Sequence, residues 1–246
     1  MCISRGKQIR QIIMFLYFVR HGEIESNIRK VYAGWSEEPL TEKGIQQAEM
    51  AGEVLKEKGI DALYCSPLRR AVQTAEIIGE AVGLTPVSDD HFKEMRLGPW
   101  EGLSEDEVAR RFPEEWKIWN KRPADLVLEG RETLRELQER VLEGVRRRRS
   151  PRLNTLEGDP VQLGREVRER LKMNVEHPTS NIQHRMGKDR VSGQESGNVV
   201  VVTHVAIIRV LKLYAEGRDL NEYKKVPVEN GEVFELDPQI TQISAD

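Results

Sequence analysis

Three short apolar runs constrain this chain more than any other feature. FLYFV (15–19), ALYC (62–65) and VVVVT (199–203) are continuous rather than alternating, and rich in aromatic and branched residues. That is the pattern of strands covered on both faces. Helical patterns lie between them, so the sequence predicts an α/β layer fold with a mostly parallel central sheet.

The helix signals are explicit. Thr41 is placed to cap a helix whose apolar positions include Ile45, Ala48 and Leu55, stopping at Gly59. Ser66 followed by Pro67 reads as an N-cap with proline at the first helical position, leading through Val72, Ala75, Ile78 and Val82 to a stop at Gly83. Ser104 and Glu107 form a capping-box pattern, and Leu134, Leu137, Val141 and Val145 mark one face of another helix.

The pattern changes from about 146 to 198. RRRRSPRLN is a charge run with a breaker, and HPTSNIQHRMGKDRVSGQESGN is polar and aperiodic. One helix is expected between them, capped by Asp159, with Leu163, Val167, Leu171 and Val175 spaced by four. We read the segment as a partly helical, partly mobile insertion. GRETLRELQERV (130–141) and GREVRERLKMNV (164–175) share several residues in register, which chance similarity between charged amphipathic helices also explains. Residues 1–13 read as an extension before the first strand, and Met14 is an equally plausible start.

With 246 residues, 38% hydrophobic and 32% charged, the chain suffices for one substantial domain carrying such an insertion. A net charge of −3 gives no global electrostatic case for nucleic acid or acidic membranes, so any attraction for anions is local. Only Cys2 and Cys65 are present, which argues against a disulfide framework and for a reducing, cytoplasmic setting. The most apolar stretch, IIMFLYFV (12–19), is far shorter than the roughly 20 residues needed to cross a bilayer.

Each of the three runs ends in groups suited to an anion. FLYFV leads into Arg20 and His21, ALYC into Ser66 and Arg70, and VVVVT into His204. In open α/β sheets ligands sit outside the carboxyl ends of the strands, where the following helices aim their positive N-termini. Taken singly, RHG is a surface turn, Arg69 and Arg70 are helix-surface charges, and His204 is a satisfied core histidine. None of these readings explains why three strand ends are alike. A shared pocket for a phosphate dianion does.

RHGEIESN, SPLRRAVQTA, EMRLGPWEG and VVTHVAIIRVL resemble, in order, the successive motifs of the histidine phosphatase superfamily, also called phosphoglycerate mutase-like. The resemblance covers about 14 to 142 and 198 to 236. It implies a three-layer α/β/α fold and catalysis through a phosphohistidine, with no metal or other cofactor. Carried onto this chain, it makes His21 the nucleophile and Glu94 the proton donor. Arg20, Asn27, Arg70 and His204 would hold the phosphoryl oxygens, with His204 protonated, and Ala33 and Gly34 would line the pocket with backbone. Trp35 is expected beside it, and Gly22 is expected to let the chain pass close to the substrate. Val205 is a departure, because relatives usually carry glycine or alanine after the second histidine; a branched side chain there narrows the pocket or shifts its amide. The long segment from 146 to 198 is another.

The resemblance spans phosphatases and mutases. Mutases typically continue from the acid with an HYG-type segment and a lysine, whereas G-x-W-E-G here looks like the phosphatase branch. The expectation is a metal-independent phosphatase acting on a small phosphorylated metabolite of the phosphoserine, α-ribazole phosphate or sugar phosphate type. The alternatives are a phosphoglycerate mutase and a catalytically weak phospho-ligand binding module. No nucleic acid or membrane partner is expected, and a homodimer is compatible with the sequence. His91, Arg110 and Arg111 read as surface groups, and Trp116 and Trp119 as the core of a cap. Lys117, Lys121 and Arg122 either meet a substrate carboxylate or lie exposed.

Overall fold

The computed structural model describes residues 15–149 and 197–236. Its sheet has the order β3-β2-β4-β1-β5, formed by β1 (Leu16–Arg20), β2 (Ile60–Cys65), β3 (Val87–Ser88), β4 (Asn198–Thr203) and β5 (Val233–Leu236). β1 and β2 flank β4 in parallel, β3 extends β2 in parallel, and only β5 runs antiparallel, against β1.

Why the runs are continuous rather than alternating is visible in their neighbours. Leu16, Phe18, Val199 and Val201 enter one core, and Tyr17, Val19, Val200 and Val202 enter another on the opposite face. Successive strand residues point to opposite faces, so a strand with a core on each side has no solvent-facing positions. All six residues of β4 are buried, and each such aliphatic side chain contributes roughly 1.5–3 kcal/mol.

α2 (Glu42–Lys56) and α3 (Arg69–Val82) close one face through Ala51, Leu55, Ala71, Ala75 and Ile78. α6 (Leu134–Arg149) and α7 (Val205–Ala215) close the other; Leu134, Leu137, Val141 and Val145 form the buried stripe expected of them. Three shorter α-helices are also present: α1 (Glu25–Ile28), α4 (Glu105–Arg111) and α5 (Pro113–Lys121). No helix among the described residues is long and apolar enough to cross a membrane.

The caps follow the sequence with one correction. Thr41 Oγ1 accepts from the Gly44 amide, and Ser104 and Glu107 form their reciprocal box. Ser66, however, does not cap α3, which starts at Arg69 after Leu68. Its hydroxyl is held by His204, and Pro67 lies in the turn before the helix. Ile45, expected on the buried face of α2, is 42% exposed, because that face runs through Gly44, Ala48, Ala51 and Leu55.

β3 and β5 were not expected. β3 is two residues long, and β5 is a partly exposed edge. The charge run begins as the end of α6, and Asn198 already belongs to β4. The remainder of the expected insertion, its helix and the second copy of the similar segment lie outside the described residues, as do residues 1–13.

Candidate active site

The three strand ends are tied together by main-chain bonds. Arg20 pairs in register with Thr203, the His21 amide donates to Thr203 O (2.9 Å), and the Ser66 amide donates to Val202 O (2.9 Å). His21 and His204 are thereby brought side by side, ring centroids 5.1 Å apart.

His21 is locked in one tautomer. Its Nδ1 lies 2.7 Å from Gly22 O, which can only accept, so Nδ1 carries the proton. Its Nε2 lies 3.2 Å from Arg70 Nε, which can only donate, so Nε2 presents its lone pair. Burial, with the charges of Arg70 and Arg20, pushes its pKa well below 6.5. A neutral imidazole with an unprotonated Nε2, its lone pair held by Arg70 until a phosphoryl group takes its place, is the form a nucleophile needs.

Arg70 is buried in α3 and fixed by its whole fork: besides His21, Nη1 donates to Ser36 O (2.8 Å) and Nη2 to Gly34 O (2.7 Å). Those bonds offset the cost of removing a guanidinium from water. Arg20 Nη1 donates to Val228 O (2.6 Å), and its buried Nε has no protein partner. Asn27 accepts at Oδ1 from the Ile24 amide and from Asn230 Nδ2, both 3.1 Å, which leaves its own amide N–H groups as the donors on offer.

His204 is enclosed by protein. It is fully buried, its Nε2 lies 2.7 Å from Ser66 Oγ, and its Nδ1 has no partner. Burial, then Arg70, His21 and Arg20, push its pKa well below 6.5, which favours the neutral ring and opposes the protonated form expected of it. It stands beside His21 and does not line the cavity.

Glu94 is 8% exposed, and burial raises its pKa against the opposing pull of Arg70 and Arg20. It enters the cavity from a loop braced on both sides. Arg140 of α6 donates to the carbonyls of Asp90, His91 and Lys93, while Trp35 Nε1 donates to Glu94 O at 2.8 Å. Trp35 therefore clasps the backbone of the acid and does not line the cavity. His91 pairs with Asp89 through Nδ1 (2.7 Å), away from the cavity.

The cavity is small, about 150 Å³. It is lined by Arg20, His21, Asn27, Ala33, Gly34, Arg70, Glu94 and Val205, and by groups the sequence reading missed, among them Tyr32, Glu105, Arg209, Tyr223 and Lys224. Arg209 stands one turn beyond Val205 on α7 and so shares its face, a signal present in VVTHVAIIRVL. Tyr223 and Lys224 come from a 3-10 segment, Leu220–Lys225, that carries no periodicity. Trp119 also lines the cavity while packing into the core, whereas Lys117, Lys121, Arg122, Arg110 and Arg111 are exposed.

Gly22 answers a packing demand that the sequence did not reveal. A Cβ there would lie 2.1 Å from Gly44 O, so the glycine lets the loop pack onto the first turn of α2. No group of three or more His, Cys, Asp or Glu side chains that could hold a metal ion occurs among the described residues.

The model of the histidine phosphatase superfamily (branch 1) matches residues 16–154 and 164–244. The chain belongs to this superfamily. Phosphoserine phosphatase 1 of Hydrogenobacter thermophilus is 35% identical over 136 residues, 54% of this chain and 64% of that relative. The 2,3-bisphosphoglycerate-dependent phosphoglycerate mutase of Azorhizobium caulinodans is 35% identical over 133 residues, 52% of this chain and 64% of the relative. The chain thus covers just under two thirds of these relatives' own length. The solved structure of Bacillus stearothermophilus YhfR superposes with a TM-score of 0.66 at 25% identity, covering 90% of each chain. The chain has the phosphoglycerate mutase-like α/β fold.

Proposed function

We propose that this chain is a phosphatase that hydrolyses the phosphomonoester of a small metabolite through a phosphohistidine at His21. One observation carries the reading: a neutral, tautomer-locked His21 shares a small cavity with Glu94, a buried acid whose pKa is raised.

In the first step His21 Nε2 attacks phosphorus, the P–O bond to the leaving group breaks, and the Glu94 proton passes to the departing oxygen. In the second, a water molecule loses a proton to the Glu94 carboxylate and its oxygen attacks phosphorus. The P–N bond breaks and His21 is restored. Arg20, Arg70, the Asn27 amide and the N-terminus of α7 at Val205 and Ala206 offset charge on the phosphoryl oxygens. A bound dianion also raises the pKa of His204 toward the protonated form.

Relatives of equal identity carry phosphatase and mutase names, so the choice rests on the segment after Glu94. There Trp100 is fully buried, and Glu101 accepts from the Leu97 amide (3.3 Å), so G-x-W-E-G forms a packed turn.

The test is a panel of phosphoserine, α-ribazole phosphate, sugar phosphates and 3-phosphoglycerate, assayed with EDTA for released phosphate and for isomerised product. Phosphate release is expected. Isomerisation without release identifies a mutase, binding without turnover identifies a binding module, and loss of activity to EDTA overturns the metal-independent scheme.

A further inference from the structure

The cavity holds more positive charge than a phosphoryl group requires. Four cations line it, Arg20, Arg70, Arg209 and Lys224, against two carboxyls, Glu94 and Glu105. Arg20 and Arg70 flank His21, and a phosphate dianion offsets those two. Glu94 is neutral when it serves as the acid. Glu105, whose Oε1 accepts from Tyr32 Oη (3.3 Å), offsets one further cation. Among the groups that line the cavity one positive charge is left over; Glu229 and Glu232, which act on Arg20, and Glu37, Glu38 and Glu101, which act on Arg70, stand outside the lining.

Arg209 is the residue on which that charge falls. Its Nε donates to Val226 O (2.8 Å), and its guanidinium lies 5.2 Å from the Tyr223 ring. Among the described residues no carboxylate forms an ion pair with it or with Lys224, whose Nζ donates to Asn120 Oδ1. The cations also crowd one another: burial lowers the pKa values of Arg20 and Lys224, and the charge of Arg209 adds to the lowering of both. Unpaired like charges around one cavity are destabilising unless a bound anion completes them.

We propose that Arg209, with Lys224 beside it, forms a second anion subsite in this cavity that selects phosphomonoesters whose leaving group carries a carboxylate. The inference rests on the phosphatase reading and names its substrate class. A single carboxylate matches the one uncompensated charge, and the planar fork of Arg209 suits carboxylate geometry. Lys117, Lys121 and Arg122 are not the selectors, since they are exposed, with Lys117 paired to Glu114 and Arg122 to Asp125.

The experiment compares substrates that differ only at the carboxylate: 3-phosphoglycerate against glycerol 3-phosphate, and phosphoserine against phosphoethanolamine. The carboxylated member of each pair is expected to have a kcat/KM higher by about tenfold or more, the worth of one charge-assisted contact. In Arg209→Gln and Lys224→Gln that ratio, read within each protein, is expected to fall toward one. A ratio near one in the unmodified protein, or an unchanged ratio in both variants, overturns the subsite. Hydrolysis of α-ribazole phosphate or a sugar phosphate but of none of the four compounds overturns the subsite; failure to hydrolyse these four and every other phosphomonoester of the panel overturns the phosphatase reading alone. Calorimetric binding of the same pairs to Glu94→Gln then decides the subsite by the same ratio.

Discussion

Arg70 Nε lies 3.2 Å from His21 Nε2, and the two remaining nitrogens of that guanidinium are spent on Ser36 O and Gly34 O. One side chain thus holds the lone pair of the proposed nucleophile and the loop that lines the cavity. Arg70→Lys keeps the charge and loses the fork. We expect kcat to fall by about 10²- to 10³-fold. Unfolding free energy in urea should fall by about 1–3 kcal/mol, because buried carbonyls lose their donors.

The pH profile follows from two opposite shifts. His21 must be neutral, and its pKa is held well below 6.5, so kcat/KM should fall only as pH drops through that lowered value. Glu94 must be protonated for the first step, and its pKa is raised above 4.5, so kcat/KM should fall as pH rises through that raised value. The alkaline limb should vanish in Glu94→Gln, with kcat on alkyl phosphates lower by about 10²- to 10⁴-fold.

Stability should depend on the same histidines. His21 and His204 both have folded-state pKa values well below 6.5, so the unfolded chain binds more protons in acid. Stability is therefore full above about pH 6.5, the unfolded value, and is lost as pH falls from there through the lowered folded values. Thermal unfolding scanned by pH should show this decline, and it should be shallower in His204→Gln.

Gly22→Ala tests the loop. The added methyl carbon would lie 2.1 Å from Gly44 O, main chain against main chain. A loss of about 1–3 kcal/mol is expected, together with loss of activity, since Gly22 O orients His21.

What was legible in the sequence tracks how local the cause is. β1, β2 and β4 were readable because each carries two buried faces in a single run, and Arg20, His21, Arg70 and His204 because they follow those strands. Glu94 has no such signature, and only its resemblance to a known motif marked it out. β3 and β5 escaped because two residues, or one half-exposed edge, hold too little pattern. Ser66 was misread as a cap because its partner, His204, is 138 residues away. The packing demand on Gly22 was hidden for the same reason: Gly44, which requires it, lies in another element.

The central claim is a phosphoryl group on His21 Nε2, and peptide mass spectrometry of the quenched enzyme tests it most directly. Glu94→Gln is incubated with an aryl phosphate, whose leaving group needs no proton, so the intermediate forms and its hydrolysis is slowed. The expected result is one acid-labile, alkali-stable phosphoryl group on His21, absent from His21→Ala, which should also lose at least about 10³-fold in kcat. A phosphoryl group on another residue, or undiminished turnover by His21→Ala, would contradict it.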